Sequence, residues 1–174
     1  MNRHYDGERV REVLAKLREI KRSDGMSLNI GADLIVGFPG ESDADFVDTL
    51  ECVEQYAISQ LHAFPFSAHV DHYSVPAGVY PDQVANHIAQ SRIKTLQKAG
   101  AEVFEKWAEE TVGHEVRVLV EKISTAQSIS YSGWTENYLA CDETNFEPYP
   151  DQEIARGKVV KGIYTNILQK TPSE

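Results

Sequence analysis

Residues 31–41 have the sequence GADLIVGFPGE, and this stretch decides the fold of the first part of the chain. Every second residue from Leu28 to Val36 is apolar, which predicts a β-strand with one face on a core. The Gly-Phe-Pro-Gly turn ends the strand, and Ser42 with Asp45 three residues later has the pattern of a capping box. The stretch therefore predicts a strand, a glycine-containing turn and a capped helix in immediate succession.

The neighbouring segments extend this pattern into a β-α-β unit. An apolar stripe at helical spacing predicts a first helix over residues 7–21, and a second strand is predicted over residues 60–67. Two strands joined by one helix pair in parallel with a right-handed crossover. Parallel sheets are normally larger than two strands and covered on both faces, so we expect this region to be one part of a larger α/β fold.

The rest of the chain has a different texture. Residues 68–80 are predicted to form a loop, and a long helix is predicted to begin at Pro81 and to end near Thr111. Beyond Gly113 three short strands are predicted, over residues 115–121, 129–141 and 158–168. Short strands separated by turn residues are typical of a small antiparallel barrel.

The predicted fold class is therefore α/β with two parts. The first is an incomplete α/β unit over residues 1–112, and the second is a small all-β barrel over residues 113–174.

The composition excludes several kinds of function. The formal net charge of −10 argues against indiscriminate binding of polyanions, although a local basic patch remains compatible with it. Cys52 and Cys141 are far apart, which excludes a disulfide scaffold and fits a reducing compartment. His69 and His72 have no further ligands at suitable spacing, so no metal site is predicted. Without a signal-peptide core or a membrane-length apolar run, we expect a cytoplasmic protein with no membrane partner.

The end of the first predicted strand is the candidate ligand site. Ligands of α/β folds bind at the carboxyl ends of parallel strands, where glycine permits close approach and a helix start offers free amides. Asp33 lies on the face opposite the apolar row, and we expect it to point into the barrel interior, where a bound ligand would satisfy it. The alternative is a tight turn in which Asp33 accepts hydrogen bonds from backbone amides.

Four motifs in this chain occur in an order and approximate spacing that resemble the radical-SAM methylthiotransferases. They are MNRHY at residues 1–5, the stretch 33–41, LHAFPFS at residues 61–67 and PDQV at residues 81–84. The strand at residues 61–67 favours the branch that modifies threonylcarbamoyladenosine in tRNA. Its aromatic side chains are interpreted either as core packing or as part of a pocket.

The resemblance implies roles for both parts of the chain. Residues 1–112 would be the carboxy-terminal part of a radical-SAM barrel, in which Asp33, Ile35, Gly37 and Glu41 bind S-adenosyl-L-methionine and Ile35 lies near the adenine. Residues 113–174 resemble a TRAM domain, an OB-like RNA-binding barrel, because GWTENY at residues 133–138 fits that family's pattern.

The TRAM resemblance implies tRNA as partner and a set of contact residues. The implied RNA-binding residues are Arg117, Lys122, Trp134, Asn137, Tyr138, Lys158 and Lys161. The cations would touch phosphates, and Trp134 and Tyr138 would stack on bases. The alternative makes Tyr138 a core residue and the lysines ordinary surface. This part of the chain is itself net acidic, so we expect weak, salt-sensitive RNA affinity.

The chain also departs from the family. The family holds a 4Fe-4S iron–sulfur cluster on a Cys-x3-Cys-x2-Cys triad and a second cluster on an amino-terminal domain, whereas this chain has two isolated cysteines. We therefore assign no catalytic or metal-binding residue and expect the chain alone to be inactive. It is either part of a normal enzyme, partnered by the missing amino-terminal half, or a non-catalytic remnant that binds tRNA or a partner. The relative that modifies a ribosomal protein is a further alternative.

Overall fold

The computed structural model describes residues 4–23, 25–67, 81–124 and 130–167. The described elements are α1 (Gly7–Glu19), β1 (Ile30–Val36), α2 (Asp43–Gln55), β2 (Ile58–Pro65), α3 (Asn86–Thr111), β3 (Glu115–Ser124), β4 (Ser130–Thr135), β5 (Ala140–Asp142), β6 (Phe146–Pro148) and β7 (Val159–Tyr164). The chain divides into two compact units, Met1–Phe104 and Glu105–Glu174, called here the first and second units. Among the described residues, no helix combines the length and apolarity needed to cross a membrane.

The first unit contains the predicted β-α-β arrangement. β1 and β2 pair in parallel, as predicted, with Asp33 opposite His62 and Ile35 opposite Phe64. The helix-facing side of this sheet forms the core with buried residues of the helices. The buried apolar members are Leu14, Ile30, Val36, Val53, Ile58, Ile93 and Leu96. The expected alternation along β1 is therefore confirmed, because Asp33 and Ile35 lie on the opposite, exposed side.

Local capping fixes where the first two helices begin. The Asp6 side chain accepts the Arg9 amide at 2.9 Å and starts α1 at the predicted position. The capping box before α2 is confirmed, since Ser42 and Asp45 each accept the other's backbone amide. Such reciprocal bonds satisfy two amides that would otherwise lack partners at a helix start.

The third helix begins later than predicted. α3 starts at Asn86, not at Pro81, because Asp82 adopts a φ of +65°, which a right-handed helix excludes. The Asp82 carbonyl instead accepts the Gly40 amide at 2.9 Å and so ties this segment to the turn after β1. The predicted loop at 68–80 lies outside the described residues.

The second unit is a curled five-stranded antiparallel sheet in the order β5-β4-β3-β7-β6. The single strand predicted over residues 129–141 is wrong, because it is two strands separated by a turn. In that turn the Tyr138 amide donates to the Thr135 carbonyl at 3.0 Å, and Tyr138 itself has a φ of +61°. The short strand β6, which pairs with β7, was not predicted.

The curled sheet encloses its own apolar core. The buried apolar residues are Val116, Val118, Val120, Tyr131, Leu139, Cys141, Phe146, Val160 and Tyr164. Gly133 of β4 lies against β3 so closely that an added Cβ would overlap the Leu119 carbonyl. This glycine of the GWTENY motif is therefore explained by backbone proximity within the sheet.

Candidate functional site

The exposed side of the β1-β2 sheet, called here the open face, is the first candidate site. It carries Asp33 beside His62 and Ile35 beside Phe64, so a polar pair is followed by an apolar pair. All four side chains are exposed, and the core-packing interpretation of Phe64 is wrong. Two exposed large apolar side chains side by side indicate a surface that a ligand or another segment covers.

Asp33 is not buried within this chain. Its carboxylate accepts no hydrogen bond from the part of the chain that the structure describes, so the backbone-bonded alternative is not what is observed. The side chain instead lies on the open face, where Asp33 is paired with His62 of β2. An exposed carboxylate in this position is available to accept hydrogen bonds from a bound molecule.

The turn after β1 is held tightly. Gly37 has a φ of +77°, and a Cβ added there would lie 2.8 Å from the Cβ of Ala89 on α3. Both the backbone conformation and the close helix therefore require glycine at this position. The aromatic rings of Phe38 in this turn and Phe66 meet edge to face, with centroids 5.0 Å apart.

The amides of this turn are already hydrogen-bonded within the chain. Glu41 Oε2 accepts the Gly37 amide at 2.6 Å and the Phe38 amide at 3.2 Å. The amide of Glu41 donates to the Phe38 carbonyl at 2.8 Å, and the amide of Gly40 donates to the Asp82 carbonyl. Glu41 therefore holds the conformation of the turn, and these turn amides are not available as donors to a ligand.

These residues fit one of the two cofactors that the resemblance implies. The open face offers an apolar pair for an adenine and a carboxylate for hydroxyl or amino donors, which fits S-adenosylmethionine. A cluster needs three thiolates at one site, and the sequence has two cysteines in all. Burial raises the pKa of Cys141 to about 12 and also raises the pKa of Cys52, which favours the neutral thiols. The cysteines of this chain therefore do not fit a cluster.

Other clusters of metal-ligating side chains are also absent from the described part of the chain. Within residues 4–23, 25–67, 81–124 and 130–167, no group of three or more His, Cys, Asp and Glu side chains is arranged to hold a metal ion. His69 and His72 lie outside these ranges.

The second candidate site is the outer surface of the sheet in the second unit. Leu119 of β3 stands between Trp134 of β4 and Val159 of β7, and all three are exposed. We call these three residues the apolar row. Tyr138 follows in the turn after β4 and is 69% exposed, so its interpretation as a core residue is wrong. Asn137 in the same turn is half-buried, and its amide donates to Thr135 Oγ1 at 3.2 Å.

Cations flank the apolar row, and three of them are paired with carboxylates. The ion pairs are Arg117 with Glu136 at 3.4 Å, Lys158 with Glu153 at 3.7 Å, and Lys161 with Glu115 at 4.0 Å. Exposed pairs of this kind contribute roughly 0–1 kcal/mol, so a phosphate can replace the carboxylate at little cost. Arg117 and Lys161 lie directly opposite each other on neighbouring strands.

A cleft of about 720 Å³ lies beside the row and contains a cation that the sequence patterns missed. Its lining includes Leu119, Glu121, Lys122, Ile123, Arg156 and Gly157. Neither Lys122 nor Arg156 forms an ion pair with the described residues. The Gly157 amide donates to the Val120 carbonyl at 2.8 Å, and this brings Arg156 to β3. Arg156 belongs to no motif, so only the fold associates it with Lys122.

Nearly the whole chain aligns with proteins that are named for a tRNA modification. It is 30% identical over 171 residues to the tRNA-2-methylthio-N(6)-dimethylallyladenosine synthase of Actinobacillus pleuropneumoniae serotype 3, which covers 97% of this chain and 34% of that relative. It is 37% identical over 137 residues to the protein of the same name from Methylococcus capsulatus, covering 79% of this chain and 28% of the relative. No protein-family model matches the chain.

A relative with a second name matches over a shorter stretch. The chain is 36% identical over 104 residues to the threonylcarbamoyladenosine tRNA methylthiotransferase MtaB of Chlamydia pneumoniae, covering 60% of this chain and 24% of the relative. The chain is thus homologous to proteins named tRNA methylthiotransferases, and the resemblance inferred from the motifs is confirmed at the level of that family. It spans about a third or less of the length of these curated relatives.

Proposed function

We propose that this chain is the carboxy-terminal part of a radical-SAM methylthiotransferase that methylthiolates a modified adenosine of tRNA. The first unit would supply one wall of the S-adenosylmethionine pocket, and the second would be a TRAM-like tRNA-docking domain in the cytoplasm. The observation that carries the proposal is the open face. There the β-α-β unit leaves the apolar Ile35 and Phe64 and the acidic Asp33 uncovered, next to the Gly37-Phe38 turn that Glu41 holds.

Each residue of the pocket wall would have a distinct task. In this family S-adenosylmethionine and iron–sulfur clusters supply the radical chemistry, and the cluster thiolates are not among these 174 residues. Ile35 and Phe64 would exclude water and pack on the adenine. Asp33 would accept hydrogen bonds from the cofactor, while Gly37 lets the strand end close to α3. Glu41 would act on the turn and not on the cofactor.

The missing amino-terminal half is the partner that we propose for the first unit. In the described part of the chain, β1 and β2 pair with each other and with no third strand. Their outer edges present unpaired backbone groups, which are templates for further strands. Strands that carry the cluster ligands would complete the barrel over the open face.

The apolar row and its cations support tRNA as the partner of the second unit. Trp134 and Tyr138 are exposed enough to stack on unpaired bases, which contributes roughly 1–3 kcal/mol per base. Arg117, Lys158 and Lys161 would exchange their carboxylates for phosphates. Lys122 and Arg156 form no ion pair with the described residues, so they would bind phosphate from the cleft without first releasing a carboxylate.

The modified adenosine has two candidates. The LHAFPFS strand at residues 61–67 favours threonylcarbamoyladenosine. The names of the relatives that align over most of the chain favour dimethylallyladenosine.

Mass spectrometry of tRNA nucleosides from a strain deleted for the gene tests the proposal. We expect the 2-methylthio form of one of these nucleosides to disappear and its precursor to accumulate. Unchanged nucleosides would contradict the proposal and favour either the non-catalytic remnant or the ribosomal-protein relative. In that case, loss of a methylthio group from a ribosomal protein would identify the chain as part of the ribosomal-protein relative.

A further inference from the structure

A buried arginine links α3 to the turn after β1. Arg92 of α3 donates from Nη1 to Glu41 Oε1 at 2.7 Å and from Nη2 to Asp43 Oδ1 at 2.6 Å. Glu41 passes the link on, because its other oxygen accepts the amides of Gly37 and Phe38. One carboxylate thereby joins a helix residue to the two backbone amides that shape the turn.

Burial makes this link specific for arginine. The side chains of Arg92 and Glu41 are 7% and 14% exposed, whereas Asp43 is almost fully exposed. A buried charge without a partner is strongly unfavourable, so Arg92 and Glu41 depend on each other. The guanidinium also lies 5.3 Å from the ring centroid of Phe46. Only a planar fork serves two carboxylates and an aromatic face at once.

We propose that Arg92 is a positioning residue for the S-adenosylmethionine pocket, acting through Glu41 on the Gly37-Phe38 turn; this inference rests on the proposed function of the open face. Arg92 does not touch the open face itself. It fixes the turn that immediately follows the pocket residues Asp33 and Ile35, and a prearranged wall binds its ligand with less loss of entropy.

Amide hydrogen exchange of the purified 174-residue chain tests the link directly. In R92Q we expect the amides of Gly37 and Phe38 to exchange about tenfold faster or more, because their acceptor loses its own partner. R92K keeps the charge without the fork and should fall between R92Q and the unchanged chain. The amide of Val53, buried in α2, serves as the reference for general stability.

The matched control removes an exposed ion pair in the same unit. Arg9 pairs with Glu12 at 2.7 Å on the surface of α1, so R9Q should leave the Gly37 and Phe38 amides unchanged. Equal acceleration of Gly37, Phe38 and Val53 in R92Q would show a general loss of stability and overturn the positioning role. Unchanged exchange of Gly37 and Phe38 would overturn it as well.

The methylthio nucleosides of tRNA provide the functional arm. With the substitutions at the native gene, we expect R92Q to lower the methylthio nucleoside to a small fraction and R92K to restore part of it. Full modification in R92Q, together with its loss in the deletion strain, overturns this inference and leaves the proposed function standing. Unchanged nucleosides in the deletion strain overturn the proposed function and this inference with it.

Discussion

Replacing Gly37 by alanine tests whether the turn after β1 is fixed against α3. The new Cβ would lie 2.8 Å from the Cβ of Ala89, and the residue would keep a φ of +77°. The left-handed conformation costs a non-glycine residue roughly 1–2 kcal/mol. Overpacking a close contact adds roughly 1–3 kcal/mol. We therefore expect Gly37→Ala to lower the free energy of unfolding of the first unit by roughly 2–5 kcal/mol.

Gly40 provides the matched control, because it has the same kind of backbone without the contact. Its φ is +85°, and no heavy atom of the described chain lies within 4 Å of an added Cβ. Gly40→Ala should therefore cost only the conformational part, roughly 1–2 kcal/mol. Adding Ala89→Gly to Gly37→Ala should relieve the contact, so the two substitutions together should cost less than their separate effects combined.

Urea unfolding followed by amide NMR signals of β1 and α2 is the suitable assay. Both tryptophans of the chain, Trp107 and Trp134, belong to the second unit, so fluorescence would report the wrong unit. Equal losses of stability in Gly37→Ala and Gly40→Ala would refute the close contact between the turn and α3.

Three further predictions concern the second unit. Gly133→Ala should destabilise the second unit by more than about 3 kcal/mol, because the Leu119 carbonyl that the new Cβ would overlap belongs to the backbone and cannot move aside as a side chain can. Tryptophan fluorescence during urea unfolding measures this loss, and a value below about 1 kcal/mol would contradict the overlap. Reversing the charge of Lys158 and Lys161 together should weaken tRNA binding and reduce the slope of log K against log salt by roughly one to two; an unchanged slope would exclude both lysines from the interface. Burial raises the pKa of Cys141 from 9.0 to about 12, so the folded state favours the neutral thiol. The stability that depends on the neutral Cys141 thiol is therefore fully present below about pH 9 and is lost as the pH rises toward 12. Cys141→Ala should remove this component of the alkaline loss of stability. Identical pH profiles of the free energy of unfolding for the variant and the unchanged chain would contradict the prediction.

Features set by neighbouring residues were predictable from the sequence. The alternation along β1 and the Ser42-Asp45 capping box depend on contacts within a few residues, and both are present as predicted. The homology to tRNA methylthiotransferases was also predictable, because it depends on short motifs in a fixed order. The exposed position of Asp33 follows from the same alternation, because Asp33 lies on the face opposite the apolar row.

Features set by distant residues were not predictable. The link between Arg92 and Glu41 joins residues 51 positions apart, and no local pattern indicates it. The late start of α3 depends on Asp82, whose carbonyl is used by a glycine of another turn. Arg156 lines the cleft because hydrogen bonds that join Gly157 and Lys158 to β3 hold its segment there. In each case a backbone group or charge found a partner that sequence spacing does not show.

The central claim is that the open face completes an S-adenosylmethionine pocket, and paired surface substitutions test it most directly. Ile35 lies on the open face and Val47 on α2, and the two are 45% and 48% exposed, so neither Ile35→Asp nor Val47→Asp places a charge in the core. With each substitution at the native gene, methylthio nucleosides in tRNA are measured by mass spectrometry. We predict that Ile35→Asp abolishes the modification and Val47→Asp retains it, whereas full modification in both strains would contradict the account.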